Sequence, residues 1–191
     1  RIMKEVMDKA LPDRHDMDLE VFLSGSKIEK GGCIVQLLKL FGCMRASLHD
    51  AIQNNSLKQC RSAVKYYTEE KKDPTLINAT NEEGRTAICV ATVMRKSEII
   101  DYLIDCDAEL NIPDNSNGIT PLMYAVIMDI DFSHIYAMVQ AGAEINVADL
   151  QSRTPVQLAA SKGNARVLDL FLRKGKHLEM DVVDDNGWTA L

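Results

Sequence analysis

The string Gly118-Ile119-Thr120-Pro121-Leu122 recurs, with substitutions, at three other places in this chain. The related strings are Gly84-Arg85-Thr86-Ala87-Ile88, Ser152-Arg153-Thr154-Pro155-Val156 and Gly187-Trp188-Thr189-Ala190-Leu191. Successive threonines lie 34, 34 and 35 residues apart. A second string keeps the same period: Asp107-Ala108-Glu109-Leu110-Asn111, Gly142-Ala143-Glu144-Ile145-Asn146 and Gly175-Lys176-His177-Leu178-Glu179. Two motifs in phase at this period predict a solenoid of stacked repeats.

The threonine of each string predicts the start of a short helix. Its hydroxyl can accept a hydrogen bond from an amide of the first turn, and proline is tolerated at the first helical position because it has no N–H to lose. A second helix in each repeat is expected to bury an apolar stripe that no repeat could cover alone. The residues of that stripe are Ile99, Leu103, Ile135, Val139, Val167, Leu168 and Leu172.

These strings resemble the ankyrin repeat, whose pattern runs D-x-x-G-x-T-P-L-H-x-A-A, then V-x-x-L-L, then G-A-x-x-N. The resemblance covers about residues 46–191 and implies an all-α solenoid of helix-turn-helix repeats with hairpin loops. Residues 1–45 do not fit the repeat, and the spacing of their apolar residues predicts a helical region that precedes the solenoid. The implied repeats are a degenerate first copy at 46–80, full copies at 81–114, 115–148 and 149–183, and the start of a further one at 184–191. We expect the chain to be a fragment of a longer polypeptide.

The pattern places the turn residue of each hairpin at Asn81, Asn115, Asp149 and Asp184. It places the histidine of T-P-L-H at Cys89, Met123 and Gln157, and only the degenerate first copy keeps a histidine there, His49. We therefore expect most hydrogen bonds from this position to neighbouring loops to be lost.

Two further departures predict local irregularity. Asp107 stands where the pattern has a helix-ending glycine, and the third repeat has one extra residue between its helices, in 128–134. The first copy has a longer outer segment at 60–76, which we expect to extend the helix and then to loop.

Charge and composition exclude several classes of function. The 191 residues include 28 acidic and 22 basic ones, so nothing suggests the basic surface that nucleic acid requires. No apolar stretch approaches the roughly 20 residues of a membrane-spanning helix. Five cysteines without a CxxC pair indicate neither a disulfide framework nor a zinc site, and predict a reducing, cytoplasmic compartment.

Residues 17–23, Met-Asp-Leu-Glu-Val-Phe-Leu, resemble the exit half of an EF-hand. Ankyrin repeats beside degenerate EF-hands are found in the ankyrin-repeat and EF-hand family, which is associated with cilia and flagella, so the resemblance implies an axonemal location. Val21 occupies the position of the bidentate glutamate, and we expect no calcium or other metal to bind. An ordinary helix-loop-helix is the alternative. A second apolar segment, 33–41, is expected to cap the stack.

The chain contains no glycine-rich phosphate loop, G-x-S-x-G or H-E-x-x-H, and its four histidines are scattered, so no enzymatic activity or cofactor is expected.

The favoured function is a scaffold that binds a protein partner; a regulatory module of a larger enzyme or channel and a calcium-sensing module are the alternatives. Ankyrin repeats bind through a concave surface of hairpin tips and inner-helix ends. Carried onto this chain, that surface is Glu82, Glu83, Arg85, Val93, Met94, Asn117, Ile119, Ile127, Met128, Leu150, Gln151, Arg153 and Trp188.

Overall fold

A computed structural model describes residues 47–174 and 178–190. This part of the chain forms four consecutive pairs of α-helices: α1 (Leu48–Gln53) with α2 (Leu57–Lys65), α3 (Ala87–Val93) with α4 (Ser97–Asp105), α5 (Pro121–Ile127) with α6 (Phe132–Gln140), and α7 (Pro155–Ser161) with α8 (Ala165–Lys174). Among these residues no strand is formed, and one isolated bridge joins Thr80 to Thr86. The all-α fold predicted from the repeats is confirmed.

The helices stack in two layers. The inner helices α1, α3, α5 and α7 contact one another in chain order, and the outer helices α2, α4, α6 and α8 do the same. Small residues line the inner layer, where Ala91, Ala125 and Ala159 are fully buried. Because an alanine side chain occupies little space, neighbouring inner helices can approach closely, and one continuous core runs through all four pairs.

Threonine begins two of the inner helices as predicted. The Thr120 hydroxyl accepts from the Met123 amide and the Thr154 hydroxyl accepts from the Gln157 amide, and a proline follows each threonine at the first helical position. Thr86 starts α3 without such a bond, so the capping prediction is wrong at this helix. The first pair uses serines: Ser47 caps α1 and Ser56 caps α2.

Asp107 does not disturb the end of its helix. It adopts a left-handed φ of 55°, and Gly142 at the corresponding place after α6 has φ 97°. The Ala108 amide donates to Leu103 over 3.1 Å, and the Ala143 amide donates to Met138 over 2.9 Å, so both helices close in the same way. The irregularity expected at Asp107 is therefore wrong, because a short aspartate can take the conformation that glycine takes more cheaply.

We expect Asp107→Gly to raise the free energy of unfolding by about 0.5 to 1 kcal/mol, since glycine adopts positive φ without the steric cost of a Cβ. Gly142→Asp, the reverse change one repeat further on, should lower it by about 1 kcal/mol, although no atom lies within 4 Å of the added Cβ. Urea denaturation measures both. Asp107→Asn removes the charge while keeping the side chain, and a gain equal to that of Asp107→Gly would contradict the conformational explanation.

The buried stripe of the outer helices is only partly the predicted one. Ile99, Leu103, Ile135 and Val167 are buried, whereas Val139 and Leu168 are half-buried. Leu172 is 57% exposed, so its assignment to the stripe is wrong. In α8 the buried residues are Val167, Leu170 and Phe171, at the i, i+3, i+4 spacing of one helical face.

Two predictions about connections are confirmed. Four residues (128–131) separate α5 from α6, and three separate the helices of the second and fourth pairs, so the extra residue lies where the sequence places it. Helix α2 continues directly into a π-helical turn at Tyr66–Glu70, and a 3-10 turn follows at Pro74–Asn78. The extended outer segment therefore projects beyond the length of the other outer helices.

A ladder of asparagines connects the loops that follow the outer helices. The side-chain oxygens of Asn78, Asn111 and Asn146 accept hydrogen bonds from the backbone amides of residues one repeat further on, at 2.9, 2.9 and 3.3 Å. The donors are Glu109, Glu144 and Glu179. Each of these loops is thus fixed to its neighbour.

Several sequence predictions lie outside the described residues. They concern the N-terminal region 1–45, with its EF-hand-like stretch 17–23 and its capping segment 33–41. Within the part of the chain that is described, no helix is both long and apolar enough to span a bilayer.

Candidate protein-binding surface

Four hairpin tips, which we call fingers, expose parts of the chain: three precede the inner helices α3, α5 and α7, and the fourth follows α8. They comprise residues 81–85, 114–119, 149–153 and 184–188. In each finger one carboxylate or amide oxygen accepts hydrogen bonds from two backbone amides of the turn. The accepting residues are Asn81, Asp114, Asp149 and Asp184, with distances between 2.9 and 3.1 Å. Asp and Asn are suited to this turn because their short side chains reach amides of the next few residues.

The prediction that Asn115 is the turn residue of the second finger is wrong. Asp114 takes that role, and its Oδ1 accepts from the amides of Asn117 and Ile119. The second finger has one more residue between its turn residue and the threonine that follows the finger than the other fingers have. The extra residue places Asn115 at the exposed tip, where its own amide donates to the Glu83 carbonyl oxygen over 3.2 Å.

Main-chain hydrogen bonds connect the fingers into one row. Besides the bond from Asn115 to Glu83, the Leu150 amide donates to the Asn117 carbonyl over 2.8 Å and the Asp185 amide donates to the Gln151 carbonyl over 3.2 Å. The finger row, residues 81–85, 114–119, 149–153 and 184–188, is therefore held in a fixed order by its own backbone.

Gly118 allows the second and third fingers to approach closely. It has φ 70°, and a Cβ added there would lie 3.1 Å from both the backbone nitrogen and the Cγ of Leu150. The Leu150 nitrogen cannot easily yield, because it donates to Asn117. Gly187 has φ 82° but no atom within 4 Å of an added Cβ.

We expect Gly118→Ala to cost about 2 kcal/mol of the free energy of unfolding and Gly187→Ala about 1 kcal/mol, because both pay for positive φ and only the first also displaces a neighbouring backbone. Chemical denaturation of the two variants under the same conditions measures the difference. Equal losses would show that the contact between the fingers contributes nothing.

A buried polar cluster joins the first two fingers to α5. The Tyr124 hydroxyl donates to Asp114 Oδ2 over 2.5 Å, and Arg85 Nε donates to the Tyr124 hydroxyl over 3.2 Å. The Arg85 guanidinium lies 5.4 Å from the centre of the Tyr124 ring and also pairs with Glu83 at 2.6 Å. Asp114 is fully buried as a side chain, so these partners compensate for the loss of its hydration.

The cluster shifts the pKa values of its members in opposite directions. Burial by itself would raise the pKa of Asp114, but the hydrogen bonds from Tyr124, Asn117 and Ile119 and the charge of Arg85 outweigh it and lower that pKa. Burial raises the pKa of Tyr124 to about 12, and the hydrogen bond to Asp114 adds to the rise. Asp114 is therefore ionised and Tyr124 neutral at physiological pH.

Stability is expected to fall at alkaline pH through Tyr124. Because its folded pKa of about 12 lies above its unfolded value, its contribution is complete below about pH 10 and is lost as the pH rises towards 12. Denaturation curves measured across this range should show a smaller alkaline loss for Tyr124→Phe. Tyr136→Phe, at an exposed tyrosine, is the control, and an alkaline loss in Tyr124→Phe as large as in the unchanged chain would contradict the expectation.

The third finger fixes its own arginine. Arg153 donates from Nε and from a terminal guanidinium nitrogen to Asp149 Oδ2, over 2.9 and 2.7 Å, while Asp149 Oδ1 holds the turn. The row contains six acidic residues and two arginines: Glu82, Glu83, Asp114, Asp149, Asp184 and Asp185, with Arg85 and Arg153. Both arginines are paired within the protein, so the row as a whole is acidic.

The loss of hydrogen bonds predicted at the T-P-L-H position holds at two residues and is wrong at a third. His49 Nε2 donates to the Arg85 carbonyl over 3.0 Å. Gln157 replaces histidine without losing the connection, since its Nε2 donates to the carbonyls of Val182 and Trp188 over 2.8 and 2.9 Å. Cys89 and Met123 are buried apolar residues instead.

The cysteines of the described region are thiols. Cys60 and Cys89 are buried and Cys106 is half-buried. Burial raises the pKa of Cys60 to about 11 and also raises that of Cys89, so both stay protonated and unreactive.

His134 is buried between outer helices, with Nε2 3.4 Å from Asp101 Oδ1. Among the described residues no three His, Cys, Asp or Glu side chains are placed to hold a metal ion.

The structure distributes the predicted surface residues over three environments. Glu82, Glu83, Met94, Asn117, Gln151, Leu150 and Trp188 are exposed, the last two by 69% and 71%. Arg85, Val93, Ile127, Met128 and Arg153 are half-buried. Ile119 is 7% exposed and belongs to the core, so its place on an exposed surface is wrong: an apolar side chain here is more stable turned inwards.

Stacked helix pairs, a threonine immediately before each short inner helix from the second pair onwards and a connected row of fingers define an ankyrin-type solenoid. A family model described as ankyrin repeats (3 copies) matches residues 48–149, more than half of the chain. The chain belongs to the ankyrin-repeat family.

The chain is also similar to several named proteins. The chain is 42% identical to Inversin of Gallus gallus over 82 residues, 42% of this chain, and 32% identical to Inversin of Mus musculus over 106 residues, 54% of this chain. It is 30% identical over 166 residues, 86% of this chain, to the protein named "Putative palmitoyltransferase ZDHHC13" of Danio rerio. The matched regions amount to 7%, 10% and 24% of those proteins' own lengths.

Proposed function

We propose that this chain is a non-catalytic scaffold segment of a larger polypeptide and that it binds a protein partner through the concave side formed by the finger row and the inner-helix ends. The observation that carries the proposal is the exposure of Leu150 and Trp188 on a row whose backbone is already hydrogen-bonded from finger to finger. Large apolar side chains held outwards on a fixed surface are typical of interaction sites.

We further propose that the molecule lies in the cytoplasm, in a large assembly such as a ciliary or flagellar axoneme. The thiols of Cys60, Cys89 and Cys106 are compatible with a reducing compartment. The axonemal part rests on the resemblance of residues 17–23, and imaging of a tagged chain in ciliated cells tests it. Exclusion from cilia would remove this part alone.

Site-specific photo-crosslinking tests the surface. A photoreactive phenylalanine derivative replaces Leu150 or Met94 on the proposed surface, or Leu172 on an outer helix, where the side chain is 57% exposed. Irradiation in cells is expected to give the same adduct from the first two positions and none of it from Leu172. Adducts that form equally at all three positions, or only at Leu172, would overturn the proposal.

A regulatory module of a larger enzyme is the second candidate. The observation that favours it is the similarity over 86% of this chain to a relative named as a putative palmitoyltransferase. In that case the finger row would contact another domain of the same polypeptide. Crosslinks from Leu150 within one polypeptide would favour this candidate, whereas crosslinks to a separate protein would favour the scaffold.

A further inference from the structure

Leu150 is unusual for its position in the fold. It follows the turn residue of the third finger, and the same place is taken by Glu82 in the first finger and by Asp185 in the fourth. Leu150 is 69% exposed, and its Cγ lies beside Gly118, which has no side chain to cover it. The row therefore presents one apolar tip between polar ones.

Trp188 adds an uncovered aromatic face on the neighbouring finger. Elsewhere in the described region, cations lie over aromatic rings: Arg61 over Tyr102, Arg85 over Tyr124 and Arg166 over Phe132, at 5.6, 5.4 and 3.9 Å. Trp188 is 71% exposed, and within residues 47–174 and 178–190 no lysine or arginine lies over its ring. Tryptophan is the side chain that attracts cations most strongly through its ring.

The charge of the row indicates which partner suits these two side chains. The row has more carboxylates than guanidinium groups, and the charges of Arg85 and Arg153 are already neutralised by Glu83, Asp114 and Asp149. Glu82 and Asp185 remain exposed at the tips on either side of Leu150. An acidic partner would be repelled, and a wholly apolar one would leave these carboxylates without compensation.

We infer that the finger row binds a basic amphipathic protein segment, whose large apolar side chain covers Leu150 and Gly118 and whose arginine or lysine residues meet Trp188 and the exposed carboxylates. The inference rests on the proposed function and specifies the chemistry of the partner. The internal contact of Arg85 with Tyr124 and Asp114 shows the same combination of cation, ring and carboxylate within this fold.

The intrinsic fluorescence of Trp188 tests the inference directly, because it is the one tryptophan in the chain. The probe is a short synthetic peptide with a central leucine flanked on both sides by arginines, titrated into the full chain. We expect a saturable change in fluorescence that weakens as salt is added. Peptides in which the arginines are glutamates, or the leucine is serine, should bind much more weakly.

Variants locate the binding. Leu150→Ser is expected to weaken binding of the basic peptide about tenfold, the loss typical of truncating a central apolar contact. Leu172→Ser makes the same change at a residue of similar exposure on an outer helix and should leave binding unaltered. Far-ultraviolet circular dichroism establishes that both variants are folded.

Three outcomes would overturn the inference: equal binding of the arginine and glutamate peptides, equal effects of Leu150→Ser and Leu172→Ser, or no binding of any peptide. None of them bears on the crosslinking pattern expected for the scaffold. If crosslinks form at Leu150 while the basic peptide fails, the surface is an interaction site for a partner of different chemistry.

Discussion

Replacement of Asp114 by alanine is expected to lower the free energy of unfolding by about 3 kcal/mol, the size of effect seen when one partner of a buried ionic cluster is removed. The side chain accepts four hydrogen bonds or ionic contacts: from the amides of Asn117 and Ile119, from the Tyr124 hydroxyl and from Arg85. Its removal leaves the Tyr124 hydroxyl without its acceptor in a buried site and releases the turn of the second finger.

Equilibrium denaturation in urea measures this loss, and two variants control it. Asp185→Ala removes an exposed carboxylate from another finger and should change stability by no more than about 0.5 kcal/mol. Asp114→Asn keeps the size and one accepting oxygen but loses the charge, so we expect an intermediate loss. If Asp114→Ala proved as mild as Asp185→Ala, the buried cluster would not be what holds the second finger.

Replacement of Phe171 by alanine is expected to cost about 4 kcal/mol, because it removes a large ring from a close-packed core and leaves a cavity. Phe171 is 0% exposed, and its helix α8 packs against both α7 and α6. The neighbouring residue supplies the control, since Leu172 lies on the same helix and is 57% exposed. Leu172→Ala should change stability by no more than about 0.5 kcal/mol.

Thermal and urea unfolding of the two variants show whether Phe171, as in the structure, or Leu172, as the sequence predicted, is the buried residue of α8. That prediction placed Leu172 inside the core and did not single out Phe171. A large loss from Leu172→Ala with a small one from Phe171→Ala would support the predicted stripe and contradict the observed packing of α8.

The repeat period predicted most of the fold, and the predictions that proved wrong have identifiable physical causes. In 167–172 five of six residues are apolar, so helical periodicity could not decide which face of α8 is buried. Only the contact with α6 and α7 selects Phe171 over Leu172. Similarly, Asp114 and Asn115 are adjacent and both suit a turn, and the extra residue in that finger shifted the role by one position.

The candidate surface could be predicted in outline but not in detail. The positions of the recurring threonines predicted where the fingers lie, and Leu150 and Trp188 are exposed as predicted. The repeat pattern could not predict the cluster of Arg85, Asp114 and Tyr124, because these residues lie up to 39 positions apart and nothing in a single sequence links them. The same pattern predicted that Ile119 is exposed, because Ile119 occupies the position of Arg85 and Arg153 in its finger. An isoleucine at that position turns into the core instead.

The asparagine ladder makes neighbouring repeats thermodynamically dependent on one another. Asn111 accepts from the Glu144 amide and donates to the Gly142 carbonyl, so a repeat that unfolds removes a partner from the repeat before it. In a linear array, stability is the sum of the intrinsic terms of the units and the terms between neighbours. Bonds of this kind belong entirely to the second term. They favour a single melting transition over stepwise fraying, because an isolated folded repeat would keep its entropic cost and lose these bonds.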